Sequence, residues 1–300
     1  MRVLVIDNLV SGLRAGAIHD FARNFLRDGD DLCIRSTDGT TPIAHMLTNA
    51  TDFDLVVASG GDGTISSVCN ELRNSGVPVL PFPAGSANLI AANLDIPDEP
   101  SALARIARDM HTEKYDIGQI CYEKNGERLT NGFAVIAGAG YDATIMRRAE
   151  KLKDPFGPMA YVAAAVSEPN PTVAHFTLTL DDEVLEMDGI AVLVINFAEI
   201  FPDFSITHGN DATDGLFEVV IIKKQHTLEL LPALFAAFLD SVGNFPGRAD
   251  AIEVRRSSKV HVQADPTLEI QYDGEAVGAH TPFEAFIVPG AINFVKSLHI

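Results

Sequence analysis

The sequence predicts an α/β domain followed by an all-β domain, and three observations carry that expectation. The chain has 300 residues, enough for two domains at roughly 150 each. Its first hundred or so residues alternate short β-branched runs with amphipathic helical stretches, the pattern of βα units around a parallel sheet. After Lys114 the texture changes to longer strands joined by tight turns. With 47% hydrophobic and 21% charged residues the chain can bury a full core, which excludes a disordered or low-complexity scaffold. A formal net charge of −19, with Lys and Arg scattered, excludes nucleic acid as a partner.

Strands are expected at 2–6, 31–35, 54–58 and 77–80. Between the first two, Ile18, Phe21, Ala22, Phe25 and Leu26 recur at helical spacing, with Gly29 as the C-cap. A second helix carries Ile65, Val68, Cys69 and Leu72 on one face and is closed by Gly76, and Ser101 caps a third that runs to Met110. The first domain is placed at 1–116 and the second at 117–300, with the extreme C-terminus packing back on the first. In the second domain strands are expected at 115–123, then, past an Asn125-Gly126 turn, at 129–137, 173–180, 190–197, 216–222, 251–256, 259–264, 267–272 and 283–288. Helical inserts are expected at 158–168 and 227–242. No internal repeat is present.

Several function classes drop out. MRVLVIDN enters a strand-like run directly, without the apolar region and cleavage site of a secretory leader, which predicts a cytoplasmic chain. Cys33, Cys69 and Cys121 are far apart and read as reduced core residues. The longest apolar stretches, 189–198 and 230–239, fall short of the roughly 18 residues that span a bilayer. No Walker-type phosphate loop occurs, and the nine His residues form no metal-ligand cluster. Gly138 to Ala143 matches G-x-G-x-x-[GA], but with no βαβ unit following it reads as a structural turn.

Gly60-Gly61-Asp62-Gly63-Thr64 follows a strand and opens a helix. Glycines there let backbone amides approach an anion, and the helix N-terminus adds partial positive charge, so the loop suits phosphate groups where a plain βα turn would not need them. Asp62 would repel those phosphates, which points to action through magnesium or as a proton acceptor. It is expected to be an exposed loop carboxylate. Pro83-Ala84-Gly85-Ser86-Ala87-Asn88 supplies a second run of small residues after a strand, and Asn8, Ser11 and Gly12 a third polar turn. Loops gathered at the carboxyl edge of an open α/β sheet imply a nucleotide crevice.

GGDGT at 60–64, PAGSANLIAANLDIP at 83–97, NGFAVIAGAGYDA at 131–143, NDATDGLFEVV at 210–220 and YDGE at 272–275 occur in an order that resembles the bacterial diacylglycerol kinase-like lipid kinases, relatives of sphingosine and ceramide kinases and, more distantly, of NAD kinases. The resemblance implies an NAD-kinase-like α/β nucleotide-binding domain followed by a β-sandwich-like domain, with the active site in the cleft between them. It implies ATP as phosphate donor, Mg2+ as cofactor, and a lipid hydroxyl as acceptor, of diacylglycerol or a sphingoid or ceramide-like lipid, met at the membrane surface. Peripheral contact with the inner face of the membrane and a homodimer belong to the same expectation.

By position, Asn8, Ser11, Gly12, Thr37, Gly60, Gly61, Gly63, Thr64, Gly85, Ser86, Ala87 and Asn88 look like the ATP site. Asp62 matches the essential motif aspartate. Asp273 resembles the proposed general base, and Glu275 and Asp116 members of a magnesium and water network. Either Asp62 or Asp273 is the proton acceptor. Asp211, Asp214 and the carbonyl of Leu216 match a structural magnesium site, and read equally as a plain Asp-Gly turn. Leu9 and Leu89 stand where the family often has Pro and Asp. An apolar trough for acyl chains is expected from Met159, Tyr161, Val162, Phe201, Phe204 and the stripe Leu230, Leu231, Leu234, Phe235 and Phe238. Two other readings are a soluble-metabolite kinase of the NAD kinase type and an inactive lipid-binding regulator.

Overall fold

The computed structural model describes residues 1–11, 16–140, 171–201, 204–205, 210–223 and 252–297. It divides into two compact units, the first built from Met1–Ile117 with Val288–Ile300 and the second from Gly118–Ile287. The fold is an α/β domain with a parallel sheet and an antiparallel, β-sandwich-like domain. The helical inserts expected at 158–168 and 227–242, Gly12, and most of the apolar trough lie outside the described residues, as do the side chains of Phe201 and Phe204.

In the first unit the order is β1 (Arg2–Asn8), α1 (Ala17–Phe25), β2 (Asp31–Thr37), α2 (Ile43–Met46), β3 (Leu55–Gly60), α3 (Asp62–Leu72), β4 (Pro78–Pro83), α4 (Leu89–Asn93) and α5 (Pro100–Asp109). The sheet runs β2-β1-β3-β4 with all neighbours parallel. Each residue of β3 is buried, as parallel strands covered on both faces require. Phe21 stacks on Phe25 and meets Phe82 edge-on, fixing α1 against the sheet.

Three helix ends differ from expectation. α1 stops at Phe25 with Leu26 already extended, and Gly29 serves the following turn at φ 85. Past α3, Arg73 is extended and Asn74 takes the first left-handed position at φ 58, two residues ahead of Gly76. In α5, Glu99 is the N-cap residue and Pro100 opens the helix, so Ser101 sits inside the first turn with its hydroxyl donating to Glu99 Oε1 at 2.6 Å.

The remaining strands are β5 (Thr112–Lys124), β6 (Glu127–Phe133), β7 (Ile136–Gly140), β8 (Ala174–Leu180), β9 (Glu183–Gly189), β10 (Ala191–Ile195), β11 (Glu199–Phe201), β12 (Phe204–Ser205), β13 (Phe217–Ile222), β14 (Ile252–Ser257), β15 (Lys259–Asp265), β16 (Glu269–Tyr272), β17 (Glu275–His280) and β18 (Phe283–Val295). β5 and β18 each pass from one unit into the other; in the first unit, Asn293 and Phe294 of β18 add parallel to β4. The second unit holds an antiparallel run β18-β15-β8-β9, the β5–β6 hairpin, and a sheet ordered β14-β13-β10-β7-β16-β17. Phe133, Phe176, Phe217 and Phe283 anchor its core.

The single strand expected at 129–137 breaks at Ala134–Val135 into β6 and β7. The segment 138–140, read from sequence as a turn, is instead the end of β7, a central strand paired with both β10 and β16. Its glycines serve close packing: a Cβ on Gly140 would stand 2.4 Å from the carbonyl oxygen of Ile190. β9 and β17 were not expected. β9 is an acidic edge strand, and β17 forms because the turn before it folds it back onto β16.

Candidate active site

β3 ends at Gly60 and α3 begins at Asp62 with Gly61 as its N-cap residue in extended conformation. Leading N–H groups of a helix have no intrahelical partner and carry its positive end. One strand over, Ala84 N donates to Gly60 O at 3.0 Å and carries the chain into the second loop. There the loops touch backbone to backbone, because a Cβ on Gly85 would lie 2.4 Å from Gly61 Cα. Asn88, left-handed at φ 54, closes the second loop with its amide: Gly85 N donates to Asn88 Oδ1 at 2.8 Å and Asn88 Nδ2 to Gly85 O at 2.9 Å. Ser86 and Ala87 are exposed at its tip.

The third turn joins the same group. Asn8 Nδ2 donates to Thr64 Oγ1 at 2.8 Å, and Gly61 N donates to Ser11 Oγ at 3.3 Å. Thr37 lies opposite Asn8 in register and accepts Leu9 N on its carbonyl at 2.9 Å. Apart from Gly12, the residues expected at the ATP site thus gather at the carboxyl ends of β1, β2, β3 and β4. Sequence reasoning missed Asp7, whose half-buried carboxylate accepts the Ser59 hydroxyl at 2.8 Å between β1 and β3. The signal was present: an Asp that ends an apolar, β-branched run marks a strand's carboxyl end.

Asp62 differs from expectation. Far from standing free on a loop, it is the first residue of α3, and its Oδ1 accepts the N–H of Ile90 at 2.9 Å, so its carboxylate bridges the two glycine loops. Burial lifts its carboxyl above the ordinary aspartate range, opposed by the N–H groups of Ile90, Leu89, Asp62 itself and Asn88. Asp116, also in the first unit, is buried with Oδ1 accepting Gly290 N at 2.7 Å, which ties β5 to β18.

In the second unit, Asp273 and Gly274 form a two-residue hairpin turn between β16 and β17, both at positive φ. The Asp273 carboxylate turns back onto the β6–β7 junction, with Oδ2 accepting Ala134 N at 2.8 Å and Oδ1 accepting Val135 N at 2.8 Å and Ile136 N at 3.1 Å. Beside it, Tyr122 donates to Asn131 Oδ1 at 3.2 Å, and burial pushes the Tyr272 hydroxyl up. Glu275 is exposed. Asp211, Asp214 and Leu216 share one turn: Asp211 Oδ1 accepts Thr213 N at 2.9 Å, Asp214 Oδ1 accepts Leu216 N at 2.9 Å, and Asp214 Oδ2 pairs with Arg256. The Arg256 guanidinium shares the Asp214 carboxylate, so a cation at this turn would have to displace it. Among the described residues no group of three His, Cys, Asp or Glu is placed to hold a metal.

Two family models divide the chain between them. Residues 2–120 match the diacylglycerol kinase catalytic domain, and residues 135–296 match the YegS C-terminal NAD kinase beta sandwich-like domain. The chain belongs to the diacylglycerol kinase-like lipid kinases. A diacylglycerol kinase of Mycobacterium tuberculosis (strain H37Rv) is 28% identical over 99% of this chain and 96% of its own, and one of Bacillus subtilis (strain 168) is 26% identical over 100% and 95%. An uncharacterized protein of Synechocystis is 29% identical over 79% of this chain, which spans 54% of that protein's length. In fold, a putative diacylglycerol kinase from Bacillus anthracis superposes with a TM-score of 0.76 at 19% identity, over 99% of this chain and 97% of the other. As a lipid kinase of this family the protein is a phosphotransferase with an alcohol acceptor and ATP as donor. No helix among the described residues is long and apolar enough to cross a membrane.

Proposed function

We propose that this lipid kinase transfers the γ-phosphoryl group of ATP to the hydroxyl of a diacylglycerol-like lipid, with a sphingoid or ceramide-like lipid as the other acceptor class, met at a membrane surface. The observation that carries the reading is the backbone contact of Gly61 and Gly85 with the Asp62 carboxylate held between their loops. Loop amides and the N-terminus of α3 take the phosphates, with Asn8, Ser11, Thr37, Thr64 and Asn88 fixing the loops. As the acceptor oxygen bonds to the γ-phosphorus, the bond to the bridging oxygen breaks, ADP leaves, and the hydroxyl proton passes late to Asp62.

Magnesium arriving on the nucleotide needs one or two carboxylates besides the phosphates. Asp62 fits that count, with Oδ1 engaged by Ile90 N. When bound, the ion neutralises charge developing on the phosphoryl oxygens. A lipid hydroxyl is too weak an acid to ionise beforehand, so most of the rate comes from holding it in line. Labelled ATP offered with extracted lipids and with NAD in parallel tests this, the expected product being a phosphorylated lipid identified by mass spectrometry. Transfer to NAD, or to neither, overturns it.

A further inference from the structure

Past the carboxyl ends of β1 and β2 the first unit carries a second feature, beside the phosphate loops of β3 and β4. Leu9 and Val10, which follow β1, are 65% and 66% exposed. Their backbone is held in place: Leu9 N donates to Thr37 O at 2.9 Å, Val10 N to Asn8 Oδ1 at 3.1 Å, and Ser11 N to Asn8 O at 3.1 Å. Two large aliphatic side chains are thereby kept in solvent at the edge of the sheet, where they gain by being covered. Beside them Asp38 leaves β2 in a tight turn. Gly39, left-handed at φ 86, donates its N–H to Thr37 Oγ1 at 3.0 Å, and a Cβ on it would stand 4.0 Å from Val10 Cγ2, so the turn abuts the apolar pair.

Asp38 is exposed, and its Oδ1 accepts Thr40 Oγ1 at 2.7 Å and Thr40 N at 3.0 Å. The Thr40 hydroxyl and then its N–H hold the carboxyl below the ordinary aspartate range, so it is ionised at neutral pH. A carboxylate has about four acceptor positions, and capacity for further donors remains. In the order β2-β1-β3-β4, the ends of β2 and β3 stand two strand spacings apart, roughly 10 Å. A nucleoside triphosphate spans such a distance between its terminal phosphates and its ribose. With the phosphates on the loops of Gly61 and Gly85, the sugar and base reach Leu9, Val10 and Asp38. A carboxylate at that remove from the phosphates suits neutral hydroxyl donors, which bond strongly to a charged acceptor. We propose that Leu9 and Val10 lie against the base of the donor nucleotide while Asp38 accepts its vicinal ribose hydroxyls, so that this kinase selects a ribonucleoside triphosphate. The proposal rests on the kinase reading above, which puts the triphosphate on the glycine loops.

Calorimetric binding of ATP and of 2′,3′-dideoxy-ATP, each with magnesium, to the full chain and its variants tests it. The parent should bind ATP about ten-fold or more tighter than the dideoxy analogue. Asp38→Asn keeps an acceptor for Thr40 but loses the charge and one acceptor oxygen. It should bring that ratio to about two-fold or less by weakening ATP alone, and the same narrowing should appear in the nucleotide KM for lipid phosphorylation. Equal affinity of the parent for both nucleotides overturns the proposal. So does an Asp38→Asn variant that weakens both alike, because the carboxylate then serves only its turn. Leu9→Ser combined with Val10→Ser should weaken both nucleotides together by about ten-fold with the ratio kept. Should Asp38→Asn fail to fold, the parent's ratio and this double variant decide, and unchanged affinity in the latter overturns the proposal. If the parent binds ATP but phosphorylates no lipid, the kinase reading fails while the ratio still reports on Asp38; if it binds no ATP, both fail.

Discussion

Two polar constellations, one in each unit, are built from the same materials of glycines, an aspartate and backbone amides, and they use them in different ways. Around Gly61 and Gly85 the chain brings two loops into contact at the N-terminus of α3. Around Ala134–Ile136 the amides turn inward and are taken up by Asp273. At the first, Gly61 N and Gly85 N hold separate loops in shape through Ser11 Oγ and Asn88 Oδ1 beside a helix N-terminus; at the second, three successive amides converge on one carboxylate. An aspartate beside glycine is thus a poor guide to chemistry until the destination of the surrounding N–H groups is known.

The comparison breaks most severely if Asp62 is dispensable. Asp62→Asn keeps an acceptor for Ile90 N but removes the charge, and its kcat for lipid phosphorylation should fall by about 10² to 10⁴. The same variant should melt higher than the parent at neutral pH without nucleotide or magnesium. A carboxyl whose folded-state pKa is raised binds more protons folded than unfolded above the ordinary aspartate range, so stability drops as pH rises through that window. Asn removes that loss, and the two melting temperatures should converge as the pH falls toward the ordinary range. A parent more stable than the variant at pH 7 would contradict the burial of this charge.

Gly85→Ala sharpens the contrast next, since a Cβ 2.4 Å from Gly61 Cα forces the loops apart. It should cost about 1–3 kcal/mol in denaturant unfolding and raise the ATP KM. Asn8→Ala, which removes the bond to Thr64 Oγ1, should cost about 1 kcal/mol. The smallest expected effect is at the 211–216 turn. With Arg256 on Asp214, removing magnesium should leave the melting temperature of the nucleotide-free chain unchanged, and a clear drop on chelation would restore a cation to that turn.

The loops of the first unit were legible in sequence because close backbone approach leaves no choice but glycine, and strand-loop-helix order shows in hydrophobic pattern. The half-buried setting of Asp62, tied to Ile90 N, was not legible, because that partner lies 28 residues away. The Asp273-Gly274 turn announced itself by composition, whereas its carboxylate serves amides 137 to 139 residues earlier in the chain. β17 went unseen because Gly278 and two alanines give it little β propensity, and only the hairpin turn recruits it. The carboxyl-end loops could be placed by local pattern; the corner that Asp273 supports could not.

The most direct test of this division follows backbone amides while ATP with magnesium is titrated into the intact chain. Amides of Gly61, Gly63 and Gly85 should shift in saturable fashion, while those of Ala134, Val135 and Ile136 should keep their shifts and their slow exchange. Saturable shifts at 134–136 with none at the glycine loops would contradict the assignment of the triphosphate to the first unit.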